Sequence, residues 1–129
     1  SMVSLAAGRY AQRSLMLEAR AESAASRPPL KITCYTYPAH SDRAPEFLRQ
    51  AAAIVRYYEK LFGPYPYEKL AIVEIPLFPG GYGTTSFIML LDESFTWPKV
   101  DREFVAHEIA HQWWGNSVFP QGLGAAWLT

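Results

Sequence analysis

The chain has 129 residues, enough for one domain with a real hydrophobic core, and half of them are apolar. Twelve Lys and Arg balance 12 Asp and Glu, so no net field draws the chain to nucleic acid or to an anionic membrane surface. A single cysteine, Cys34, excludes an internal disulfide and a cysteine zinc cluster. No apolar run approaches the roughly 20 residues that span a bilayer, and Ser1-Met2-Val3-Ser4-Leu5 lacks the charged-then-apolar pattern of a signal peptide. Serine ahead of methionine resembles a tag-cleavage scar, so neither end is taken as natural and the cellular location is unknown.

In chain order, residues 5–19 and 30–37 read as extended segments on either side of a small polar stretch ending in Pro28-Pro29. The part from Tyr10 to Leu17 would also suit a helix, and the hairpin-like loop after it favours strand. Cys34 alternates with polar neighbours and reads as a strand residue packed inside. Ser41 or Asp42 can cap a helix with Pro45 in its first turn. Phe47, Leu48, Ala51, Ile54, Val55, Tyr58, Leu61 and Phe62 then recur at helical spacing until Gly63-Pro64 stops it. Residues 70–75 are apolar and β-branched, a buried strand; Pro76, Pro79, Gly80, Gly81 and Gly83 interrupt the chain, and residues 84–91 form a further strand ending in Asp92-Glu93. Asp101 can cap a helix from about Arg102 to Trp114, closed by Gly115-Asn116, and residues 122–129 resemble the opening of another. Strands and helices in this order give the α+β class, a mixed β-sheet packed with helices.

The predicted last helix carries His107-Glu108-Ile109-Ala110-His111. Histidines four apart share one helix face, about 6 Å apart at Cβ, so both can aim a nitrogen at one ion about 2.0–2.1 Å away. Glu108 sits about 100° further round, badly placed as a ligand to that ion but within reach of a water beside it. A carboxylate there can take the proton of an attacking water and deliver it to a leaving amine. The competing reading is a helix with two satisfied histidines and a surface glutamate; the apolar neighbours Phe104, Val105, Ile109 and Ala110 weigh against it, since buried histidines without partners are costly.

The run from His107 to Val118 (His-Glu-Ile-Ala-His-Gln-Trp-Trp-Gly-Asn-Ser-Val) resembles the zinc helix of the aminopeptidase N-like gluzincins, which commonly reads His-Glu-Leu-Ala-His-Gln-Trp-Phe-Gly-Asn-Leu-Val. The resemblance extends to Phe62-Gly63-Pro64-Tyr65-Pro66-Tyr67-Glu68-Lys69-Leu70, before a core strand, and to Trp127-Leu128-Thr129, at the approach to a second metal-binding helix. Residues 1–10 resemble the crossing from an amino-terminal β domain, and 11–129 part of a thermolysin-like (zincin) catalytic domain, its N-terminal portion. The resemblance implies a zinc-dependent metallopeptidase of aminopeptidase type: a peptide substrate, one Zn²⁺ ion, His107 and His111 as ligands and Glu108 as general base.

Two departures qualify that expectation. The family's third ligand is a glutamate that here falls one position past Thr129, and no carboxylate lies between His111 and Thr129; the chain alone is expected to bind zinc weakly and to be inactive. The family's Gly-x-Met-Glu-Asn strand, whose glutamate binds the substrate's free amine, corresponds to residues 80–87, which hold glycines but no glutamate. Gly80, Gly81, Tyr82 and Gly83 are candidate substrate-binding positions, with the backbone as the pairing group; Tyr82 reads equally as a substrate contact or a loop residue on the core. The alternative is a degenerate peptidase-like module that binds peptides or scaffolds. His40, Asp92 and Glu93 read as solvated or capping residues. Trp113 and Trp114 are expected to wedge the zinc helix into the core. With covering helices absent, apolar surface around Trp113, Trp114, Phe119 and Trp127 is expected to favour self-association.

Overall fold

In the computed structural model, residues 5–18, 27–76, 81–115 and 117 are described. Among them five strands form one mixed sheet and two helices pack on it. Strands β1 (Ala11–Leu17) and β2 (Leu30–Thr36) are antiparallel, with Leu15 opposite Ile32. Helix α1 (Ala44–Phe62) carries the chain to β3 (Lys69–Ile75), which lies parallel to β2. Strands β4 (Gly81–Thr84) and β5 (Phe87–Leu91) are an antiparallel hairpin, and β5 pairs in parallel with β3. The spatial order is β1-β2-β3-β5-β4, which leaves β4 at an edge. Helix α2 (Arg102–Ala110) follows.

The register explains the core. Ile32 stands opposite Leu70, Cys34 opposite Ile72, and Ile72 opposite Ile88, so these residues share one sheet face. That face meets the apolar stripe of α1, Phe47, Leu48, Ala51, Ile54 and Val55, and the buried residues Val105 and Ile109 of α2. Phe47 stacks on Phe95 with ring centroids 4.3 Å apart. Each such large side chain removed from water stabilises the fold by about 1.5–3 kcal/mol.

Four expectations are corrected. Of the described residues 5–18, read as extended, only Ala11–Leu17 form a strand. No side chain caps α1: a 3-10 turn over Pro38–Arg43 runs directly into it, and the Ala44 N–H is already taken by the Ser41 carbonyl, although Pro45 does stand in the first turn. Residues 84–91 are not one strand, because the chain reverses at Thr85-Ser86, with Ser86 at φ 60°, between β4 and β5. Helix α2 ends at Ala110 instead of Trp114. Beyond it the amides of Gln112 and Trp113 bond carbonyls three residues back, tightening the chain until Gly115 leaves it at φ 89°. No helix among the described residues is long and apolar enough to cross a membrane. Phe119, Trp127 and the predicted helix at residues 122–129 lie outside the described residues.

Candidate active site

Asp101 begins α2 as expected: its carboxylate accepts the Phe104 N–H at 3.1 Å. Val105, Glu108 and Ile109 are buried, one stripe at helical spacing turned inward. His107, on the neighbouring face, is exposed, and His111 is half-buried one residue past the helix. The two imidazole rings stand 4.9 Å apart, centroid to centroid, and nearly perpendicular. His111 Nδ1 lies 3.2 Å from the Trp114 carbonyl. A carbonyl can only accept, so this contact places the ring proton on Nδ1 and leaves the Nε2 lone pair free. The tight turn after α2 thus sets the tautomer that a metal ligand needs.

Glu108 is 4% exposed. Burial raises its carboxyl above the ordinary glutamate value, while His107 and His111 pull it back. Strand β4 closes over it. A Cβ placed on Gly83 would stand 3.0 Å from both the Glu108 carbonyl oxygen and His111 Cβ, and 3.6 Å from Glu108 Oε2. Only a residue without a side chain lets the strand lie so near the helix.

The sequence candidates separate as follows. His107, Glu108, His111 and Gly83 come together. Gly81 and Tyr82 are in β4, with the Tyr82 backbone opposite Met89, whereas Gly80 and the Tyr82 side chain lie outside the described residues. Asp92 and Glu93 open a 3-10 turn after β5. His40 is not a solvated or capping residue: its Nδ1 meets Oε1 of Glu74 at 2.5 Å. Glu74 is fully buried and accepts the Tyr37 N–H on its other oxygen at 2.6 Å. That pair was missed because its partners are 34 residues apart. Gln112 was missed too, its only local signal being its place beside His111. A cavity of about 230 Å³ lined in part by Arg27, Glu59, Tyr65, Tyr67 and Glu68 includes none of the α2 residues.

Two imidazoles side by side, one with its tautomer set by a backbone carbonyl, fit the nitrogen ligands of a zinc ion. Among the described residues no third His, Cys, Asp or Glu joins them.

The mixed sheet with its two helices matches the fold of M1 metallopeptidase structures. An M1 zinc metallopeptidase from Deinococcus radiodurans superposes with a TM-score of 0.62 at 20% identity, over 86% of this chain and 23% of that one. "Probable aminopeptidase 1" of Saccharolobus solfataricus is 34% identical over 113 residues, 80% of this chain and 14% of its own length. Human "Endoplasmic reticulum aminopeptidase 1" is 33% identical over 110 residues, 77% of this chain and 12% of its own length. No protein-family model matches. The chain belongs to the aminopeptidase N-like, M1 metallopeptidase family, and it spans about one seventh of the length of the curated relatives it matches.

Proposed function

We propose that this segment is the metal-helix half of a zinc-dependent peptidase site. His107 and His111 hold the ion, Glu108 is the general base, and β4 is the strand along which an extended peptide lies. Zinc, when bound, supplies Lewis acidity for peptide hydrolysis. Glu108 takes the proton of the attacking water and passes it to the leaving amine nitrogen. Its burial beneath β4 keeps the carboxylate from being dispersed into solvent, and the β4 backbone offers main-chain groups to a peptide. The observation that carries this reading is the buried Glu108 with Gly83 against it, on the same turn of chain as the His107 and His111 rings 4.9 Å apart. Residues 80–87 hold no carboxylate, so a free α-amine is not recognised there and peptide specificity is set elsewhere.

With only two ligands brought together, this chain by itself binds zinc weakly and does not turn over peptide. Calorimetric zinc titration checks the first of these: binding weaker than about micromolar is expected, further weakened in His111→Ala, and a single sub-micromolar site overturns the weak-binding claim. In the complete protein, Glu108→Gln is expected to lower peptide hydrolysis by about 10²–10⁴-fold with zinc retained. Unchanged turnover there removes Glu108 from the chemistry. A second reading, a peptide-binding module without catalysis, is favoured by the missing carboxylate in residues 80–87; it expects peptide binding but no hydrolysis in the same complete protein.

A further inference from the structure

Gln112 follows His111 directly, is fully buried, and points away from the exposed side of α2. Its amide oxygen accepts the Ser86 N–H at 2.7 Å and the Tyr65 hydroxyl at 3.2 Å, and its amide nitrogen donates to the Thr84 carbonyl at 2.8 Å. One acceptor for two donors and one donor for a carbonyl is the chemistry of a primary amide. Glutamate would face the Thr84 carbonyl with a second acceptor, and methionine would take the side-chain partner from the Ser86 N–H and the Thr84 carbonyl and leave the Tyr65 hydroxyl only the Lys69 carbonyl. The two backbone groups held by Gln112 flank Thr85, in the turn that joins β4 to β5. Ser86 is also tied to the sheet, its carbonyl accepting the Ala71 N–H at 2.9 Å.

These bonds fasten the end of β4 one residue away from Gly83, where a Cβ would stand 3.0 Å from the Glu108 carbonyl oxygen. Since β4 is the edge strand in the sheet order, it is paired on one side only, with β5. We propose that Gln112 is a positioning residue, which sets the height and register of β4 over Glu108 and His111 and so the placement of a peptide lying along that strand relative to the base. This rests on the peptidase reading above. It adds that the residue next to the second histidine acts through the opposite strand and touches neither the ion nor the substrate.

The test uses the complete, zinc-loaded protein, comparing wild type with Gln112→Met and Gln112→Glu. Two things are measured: amide hydrogen exchange at Ser86 and Ile88 against the core amides of Val55 and Ile72, and kcat and KM for an unblocked alanine-rich peptide. In Gln112→Met, hairpin exchange is expected to rise at least about tenfold with core exchange and zinc content unchanged, and kcat to fall by about tenfold or more. Gln112→Glu keeps both acceptor contacts but sets a second acceptor against the Thr84 carbonyl. It too should raise hairpin exchange above core exchange, and it carries the comparison if Gln112→Met does not fold. A purely structural role would instead loosen core and hairpin together and lower activity only in step with the folded fraction; that result, or hairpin exchange and kcat within twofold of wild type, overturns the proposal. If the wild-type protein hydrolyses no peptide, the peptidase reading falls, and the exchange measurements alone decide whether Gln112 holds β4.

Discussion

Cys34 shows what burial does to a single titratable side chain. It is fully buried between Ile32 and Thr36 on β2, and desolvation, with a smaller contribution from Glu74, pushes its thiol from 9.0 up to about 12. The folded pKa lies above the unfolded one. Between about pH 9 and 12 the unfolded chain therefore gives up a proton that the folded chain keeps, and stability present below pH 9 is lost as pH rises. The expected slope from this one thiol is about 1.4 kcal/mol per pH unit. Urea denaturation from pH 8 to 11 should fall more steeply for wild type than for Cys34→Ala by roughly that amount. Tyr65, also raised by burial, acts in the same direction in both proteins and cancels. Parallel slopes would mean that the thiol is not desolvated in the fold. The inward position of Cys34 was readable from alternation alone; the nearby Glu74–His40 pair was not, because nothing in the apolar run of β3 announces a partner in the turn before α1.

At the scale of elements, the legible features were those with local causes. The stripe of α1, the stop at Gly63-Pro64, the β-branched run of β3 and the four-residue spacing of the histidines all act within a turn or two of chain. The β4–β5 reversal was hidden because Thr84-Thr85-Ser86-Phe87 contains no glycine, and Ser86 takes the left-handed conformation that such a turn favours in glycine or asparagine. The early end of α2 was hidden because apolar spacing continues through the tight turn over Gln112 and Trp113, whose amides bond carbonyls three residues back; the bond of the Gln112 side chain to the hairpin, across 26 to 28 residues, was equally invisible. Gly83 shows the reverse case, a glycine visible in sequence whose cause appears only in three dimensions. Gly83→Ala must displace the Glu108 backbone or the His111 Cβ, neither of which is a flexible side-chain end. The expected cost is about 1–3 kcal/mol, measured by thermal or urea unfolding. In the complete protein a loss of peptide hydrolysis larger than the loss of folded fraction should accompany it. A neutral substitution would show that β4 has room to move and is not held against the helix.

For the molecule as a whole, the question is what covers the far end of α1. Trp113 wedges into the core as expected: at 5% exposure it packs against Tyr58 and Tyr65, with ring centroids 5.8 and 5.4 Å away, which seats the turn after α2 in the core. The apolar surface that is observed lies beside it. Tyr57, Leu61 and Phe62 are 57%, 55% and 41% exposed in the last turns of α1, and Phe62 also reaches Trp114, with ring centroids 5.4 Å apart. Large aromatic and aliphatic groups grouped on one surface favour association because each pair of faces removed from water gains about 25 cal/mol per Å² of apolar area. With a formal charge of zero, no net repulsion keeps copies apart. We therefore expect this chain to self-associate through the end of α1, a second copy covering what one copy leaves exposed. Size-exclusion chromatography with light scattering from about 5 to 500 μM should show mass rising with concentration, and Phe62→Glu, which places a charge in the patch, should hold the chain monomeric without altering α2. A wild-type monomer throughout that range would show that the aromatic cluster is satisfied within one chain, and an associating Phe62→Glu variant would move the contact to another face.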